Sequence, residues 1–106
     1  MGIDQKLVQK IIRRIKRVSK PERIILFGSA ATRKMNRDSD IDILILKAAP
    51  RRTNEEWIRI RESLRGLGYP FDIIIMSTGR FEESKNIIGG IAFPAHKYGK
   101  VIYEAK

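Results

Sequence analysis

The sequence predicts an α/β fold of the mixed (α+β) kind, a small sheet with helices packed on it, and three observations carry that prediction. Apolar runs of strand length alternate with stretches of helical period in the order α-β-α-β-α-β-α-β, a pattern that argues for a sheet covered by helices. The run from Ile41 to Leu46 is apolar without interruption once past Asp42, as strands covered on both faces are. No repeat, low-complexity tract or Gly/Ser-rich linker divides the 106 residues, so a single domain over residues 1–106 is expected. The strands are short, and a mixed rather than purely parallel sheet is anticipated.

Each element follows from its local chemistry. Ile3, Leu7, Ile11, Ile15 and Val18 recur at helical spacing, with Val8 and Ile12 widening the stripe. That helix must stop before Pro21, because the residue ahead of a proline is pushed out of the helical region. Arg23 to Phe27 is a short apolar strand ended by Gly28-Ser29, and a helix is expected over Ala30 to Lys34. Asn36, Asp38 and Ser39 supply turn chemistry before the second strand, Ile41 to Leu46. Pro50 marks a loop, after which Thr53 or Asn54 can cap a helix with Glu55 and Glu56 in its first turn. Trp57, Ile60, Leu64 and Leu67 line one face of that helix, and Gly66, Gly68 and Pro70 close it. Phe71 to Met76 is the third strand, broken at Ser77-Thr78-Gly79. A last helix is expected in the Ile87 to His96 region, and Lys100 to Tyr103 forms the final strand.

Composition narrows the function classes. There is no cysteine, which excludes disulfides and thiolate metal sites and is compatible with a cytoplasmic protein. No run approaches the roughly 18 apolar residues of a membrane span, and no signal-peptide pattern opens the chain, so no membrane partner is expected. The formal net charge is +10, which favours acidic partners such as nucleotides, nucleic acid or an acidic protein surface, and equally keeps a small protein soluble. Lys6, Lys10, Arg13, Arg14, Lys16, Arg17, Lys20 and Arg23 concentrate this charge ahead of and into the first strand. No stacked aromatic series or nucleic-acid-binding signature accompanies it, so nucleic acid stays a partner permitted by charge and unsupported by a motif.

Two short segments carry candidate chemistry. In Leu26-Phe27-Gly28-Ser29-Ala30-Ala31 a strand stops at a residue without a side chain, where backbone can approach a ligand closely. Ser29 can cap a following helix or offer its hydroxyl to an anion, and the free N–H groups of a helix start favour phosphate. In Asp38-Ser39-Asp40-Ile41-Asp42-Ile43 two aspartates lie against an apolar strand, a poor place for them on propensity. Strand alternation puts Asp40 and Asp42 on one face with Cα atoms about 6.5–7 Å apart. Carboxylates so placed repel unless a cation or proton intervenes, and an open oxygen-rich pair suits Mg²⁺ with waters and substrate phosphate as further ligands. Asp72 heads the strand Asp72 to Met76 in the same way. If the two strands are neighbours, three carboxylates converge, an arrangement suited to two-metal chemistry. Taken singly, each segment also reads as ordinary turn or strand-mouth chemistry.

Their combination is more specific. Gly28-Ser29, ten residues, then Asp40-Ile41-Asp42, with an apolar strand before and after and Asp72 on a later strand, resembles the signature of the DNA polymerase β-like nucleotidyltransferase superfamily. With Ile24 to Ser29 and the C-terminal Gly99 to Glu104, the whole chain resembles its small stand-alone members, the minimal nucleotidyltransferases, which commonly occur as the antitoxin partner of a HEPN-domain toxin. The resemblance implies a nucleotidyltransferase-like fold, ATP as substrate and Mg²⁺, as two ions, for catalysis. It implies that Gly28 and Ser29 contact the β- and γ-phosphates. Asp40 and Asp42 would bind metal, with Asp72 completing the site near an attacking hydroxyl. Members often carry Arg-Gly where this chain has Thr32-Arg33, a departure that keeps Arg33 off the expected site.

The reading that follows is transfer of AMP from ATP to a hydroxyl of a partner protein, the HEPN toxin in the antitoxin case. Two alternatives stand beside it: an antitoxin that neutralises its partner by binding alone, and nucleotidyl transfer to RNA or a small molecule. His96, the only histidine, has no second ligand or nucleophile at a suggestive spacing and reads as a helix or turn residue.

Overall fold

The computed structural model describes residues 4–28 and 40–106; the helix expected over Ala30 to Lys34 and the Asn36 to Ser39 turn lie outside them. In chain order the described elements are α1 Gln5–Val18, β1 Arg23–Phe27, β2 Ile41–Lys47, α2 Thr53–Ser63, β3 Phe71–Ser77, α3 Thr78–Ser84, α4 Ala92–Tyr98 and β4 Lys100–Glu104. The strands form one mixed sheet in the order β3-β2-β1-β4. β1 runs antiparallel to both β2 and β4, and β2 runs parallel to β3.

The sheet is apolar on both faces because strand side chains alternate and both sets are covered. On one face Ile24, Leu26, Ile41, Ile43, Ile45 and Ile73 pack against Val8, Ile11 and Ile15 of α1 and against Ile60 of α2 with Leu64 just beyond it. On the other, Ile25, Leu44 and Leu46 pack against Phe81 of α3 and Ala92 and Ala95 of α4. β2, as an inner strand, is therefore buried on both sides, as its uninterrupted Ile/Leu run required.

The α1 helix begins at the Asp4 side chain, which accepts from the Lys6 backbone N–H at 3.0 Å. Its C-terminal half is tied to α2 by Arg14, whose guanidinium donates to the Ser63 and Arg65 carbonyls at 3.2 and 2.7 Å. Those carbonyls close the last turn of α2, where a cation is favoured and orphan acceptors need donors. Trp57 is half-buried beneath β3, and its indole Nε1 donates to the Ile73 carbonyl at 2.9 Å. The free edge of the sheet is thus partly satisfied by a side chain.

Four local expectations are revised. α2 starts at Thr53 behind Arg52, which adopts φ +49 and gives no side-chain cap, so neither Thr53 nor Asn54 caps it. Glu56, expected to answer the helix dipole, is instead 3% exposed and accepts from Ser19 Oγ at 2.6 Å and from the Lys47 ammonium. Burial raises the pKa of Glu56, but the hydrogen bonds from Lys47 and Ser19 and the Lys47 charge outweigh burial and leave it lowered. At Ser77-Thr78-Gly79 the strand does not merely break. Ser77 Oγ accepts from the Arg80 N–H at 3.1 Å and starts α3, a serine cap. The helix expected around Ile87 to His96 covers only Ala92–Tyr98; Gly89, at φ +128, turns the chain ahead of it.

Candidate active site

The topology brings the sequence candidates to one end of the sheet. Because β1 is antiparallel to β2, its last residue, Phe27, pairs with Asp42, the second residue of β2. Because β3 is parallel to β2, Asp72 stands directly opposite Asp42. Both aspartates share strand parity with Leu44, Leu46, Ile74 and Met76, so they continue the face covered by α3 and α4. Asp40, two residues before Asp42, lies on the same side by that alternation and is exposed.

Gly28 closes β1 at φ +69, a left-handed conformation that glycine adopts without steric cost. Its second property is positional. A Cβ there would fall on the Asp42 carboxylate, so the missing side chain is what lets Asp42 turn toward the end of the strand.

The three carboxylates act on one another. Asp42 is half-buried, and its pKa is raised, first by burial, then by the negative charges of Asp72 and Asp40, and by a hydrogen bond with Asp72. Asp42, faced by the charges of Asp72 and Asp40, holds excess negative charge at a place that partly excludes water. Such a place favours a proton or a cation.

Among the described residues, no group of three or more Asp, Glu, His or Cys side chains could hold a metal ion by itself. The donor set is nonetheless oxygen-only and open. That chemistry fits Mg²⁺, which keeps several waters and takes one or two carboxylates plus substrate phosphate rather than a complete protein cage. Asp40, Asp42 and Asp72 are the residues that would hold it. Ser29 lies outside the described residues, as do Asp38, Ser39 and Arg33.

The family described as "Polymerase beta, Nucleotidyltransferase" matches residues 9–106. The chain belongs to that family, and is a nucleotidyltransferase of the polymerase β class. Its fold is shared with solved toxin–antitoxin structures. One, a toxin–antitoxin with AMP-PNP, superposes with a TM-score of 0.71 at 22% identity, over 93% of this chain and 74% of that one. A second, tri-AMPylated Shewanella oneidensis HEPN toxin in complex with MNT antitoxin, gives 0.62 at 21%, over 97% and 74%. A third, a mutant of the toxin–antitoxin MntA–HpeT, gives 0.68 at 20%, over 93% and 74%. At these identities the likeness is one of fold. No curated protein matches the chain significantly.

The early basic residues are more than a concentration of charge: Lys6, Lys10, Arg13 and Arg17 of α1 are spaced by four, three and four. That spacing is a single helical face.

Proposed function

We propose that the chain transfers AMP from ATP to a hydroxyl group of a partner protein, acting as the antitoxin that modifies a HEPN toxin in the cytoplasm. The observation that carries the transfer is the opposition of Asp42 and Asp72 beside Gly28. The likeness in fold to structures of a toxin–antitoxin with AMP-PNP and of a tri-AMPylated toxin with its MNT antitoxin supports the choice of donor and acceptor.

In this reading Gly28, and Ser29 after it, receive the β- and γ-phosphates at the end of β1. Asp40 and Asp42 would hold Mg²⁺ together with Asp72, which stands where the acceptor hydroxyl enters. The hydroxyl oxygen attacks the α-phosphorus in line, its proton passes to Asp72, and the bond to the departing pyrophosphate breaks. When bound, Mg²⁺ supplies neutralisation of the charge that develops on the phosphoryl oxygens. The protein's own contribution is positioning and a preorganised charge distribution.

The test is incubation of the protein with ATP, Mg²⁺ and the product of the adjacent reading frame. A mass gain of one or more AMP units on that product is expected, lost in the Asp40→Asn and Asp42→Asn variants. No gain with the native protein overturns the protein acceptor, and AMP found on RNA or a small molecule reassigns it. Full protection by the doubly substituted protein would instead establish neutralisation by binding alone.

A further inference from the structure

The surface of α1 carries a feature that the nucleotidyl-transfer site does not use. Advancing about 100° per residue, Lys6, Lys10, Arg13 and Arg17 of α1 fall within about 30° of one line along the helix surface, and Lys20 follows just past the extended Ser19 cap. Val8, Ile11 and Ile15 lie on the opposite side, buried against the sheet. The four helical cations span 11 residue steps, or about 16 Å at 1.5 Å per residue. All five are exposed, no acid lies between Gln5 and Lys20, and none of the five joins an ion pair among the described residues. The neighbouring cations are engaged elsewhere. Arg14 binds the end of α2, and Lys16 lies 4.8 Å from the Tyr103 ring centroid.

A straight ridge of like charge costs helix stability through repulsion along the face, and its field attracts a linear polyanion. Its composition selects among polyanions. Protein interfaces are depleted of charge at their centres and rich in aromatic and apolar side chains, and this ridge has none. The exposed apolar residues Ile87 and Ile88, at 63% and 81%, lie between α3 and α4. Those helices cover the other face of the sheet, so a protein partner has a different surface available. Single-stranded nucleic acid is held by stacking on aromatic side chains, absent from the ridge. Duplex DNA rewards side chains that read its accessible major groove. A ridge limited to phosphate contacts suits double-stranded RNA, whose deep, narrow major groove withholds base edges and which is recognised by shape and backbone.

We infer that the outer face of α1 is a docking ridge for the phosphate backbone of double-stranded RNA, bound without sequence preference. Because α1 packs on the sheet face opposite Asp42 and Asp72, RNA on the ridge is not placed as the acceptor of nucleotidyl transfer. The inference is therefore independent of the proposed function.

Fluorescence anisotropy with labelled 20-base-pair RNA at two or more salt concentrations tests it. The native protein should bind with a clear salt dependence. The triple variant Lys10→Gln, Arg13→Gln, Arg17→Gln should lose about tenfold or more in affinity, with a salt slope reduced by about 2 to 3. A control with the same charge loss elsewhere, Arg51→Gln, Arg52→Gln, Arg65→Gln, should lose much less, and Arg13→Lys, Arg17→Lys should keep binding. The inference is overturned by absence of binding in the native protein, by equal losses in the ridge and control variants, or by loss in the charge-preserving variant. It is also overturned if duplex DNA binds as tightly as duplex RNA, or if polyglutamate of matched charge displaces the RNA equally well.

Discussion

Gly28 and Asp42 occupy neighbouring space that a single methyl group would close. The carboxylate of Asp42 lies where a Cβ on residue 28 would stand, and φ at Gly28 is +69. Two independent constraints therefore fall on one position. Gly28→Ala should abolish nucleotidyl transfer by displacing Asp42, and should cost roughly 1–2 kcal/mol of stability from the left-handed backbone alone. Denaturant unfolding together with an AMP-transfer assay checks both. Activity near the native level would show that Asp42 is not held by this contact.

The crowding of Asp42 by Asp72 and Asp40 opposes folding at neutral pH, because an ionised, half-buried carboxylate faces two more. Asp42→Asn should raise the melting temperature measured in EDTA while abolishing transfer. Adding Mg²⁺ should raise the melting temperature of the native protein, since a cation bound only by the folded state stabilises it. The variant should respond much less. A native protein whose melting temperature ignores millimolar Mg²⁺ would count against carboxylates that hold metal.

Glu56 gives the fold an acid dependence of defined sign. Its pKa is lowered in the folded protein from an ordinary value of 4.5. Its stabilising contribution is thus complete above that value and is lost as pH falls through the lower folded one. Glu56→Gln should destabilise by roughly 3 kcal/mol at pH 7, mainly by leaving the Lys47 ammonium without its partner. The gap between native and variant should narrow below about pH 4.5. Urea unfolding of both proteins between pH 3 and 7 measures it.

Gly99 lies between α4 and β4 with ordinary extended backbone, φ −79 and ψ 171, so its requirement is steric alone. A Cβ there would meet the Ala95 carbonyl oxygen, Ile25 Cγ2 at 2.8 Å and the Leu26 carbonyl oxygen at 2.9 Å. Two of these are backbone atoms that cannot turn aside. Gly99→Ala should destabilise by about 1–3 kcal/mol, as overpacking does, and a melting curve decides it.

Much of this protein is legible in one dimension. The apolar stripe of α1, the Ile/Leu run of β2 and the aspartates heading β2 and β3 are local patterns with fixed periods, and a period of two places Asp40 and Asp42 on one face. What eluded local reading were the partners of single side chains, near in one case and farther off in another. Ser77 was a strand breaker until its hydroxyl proved to start α3. Glu56 looked like a residue answering its own helix dipole, but Lys47 and Ser19, far from it in sequence, drew it inward.

The same division runs through the site. The sequence by itself determined which residues bear carboxylates, their spacing, and a glycine at the end of a strand, because these are properties of residue type and interval. Only the tertiary structure decided that β3 lies parallel beside β2 with Asp72 opposite Asp42, and that the emptiness of Gly28 is filled by the Asp42 carboxylate. Strand order and register are set by which apolar faces bury one another across the whole sheet, a sum of many long-range contacts that no interval within the chain records.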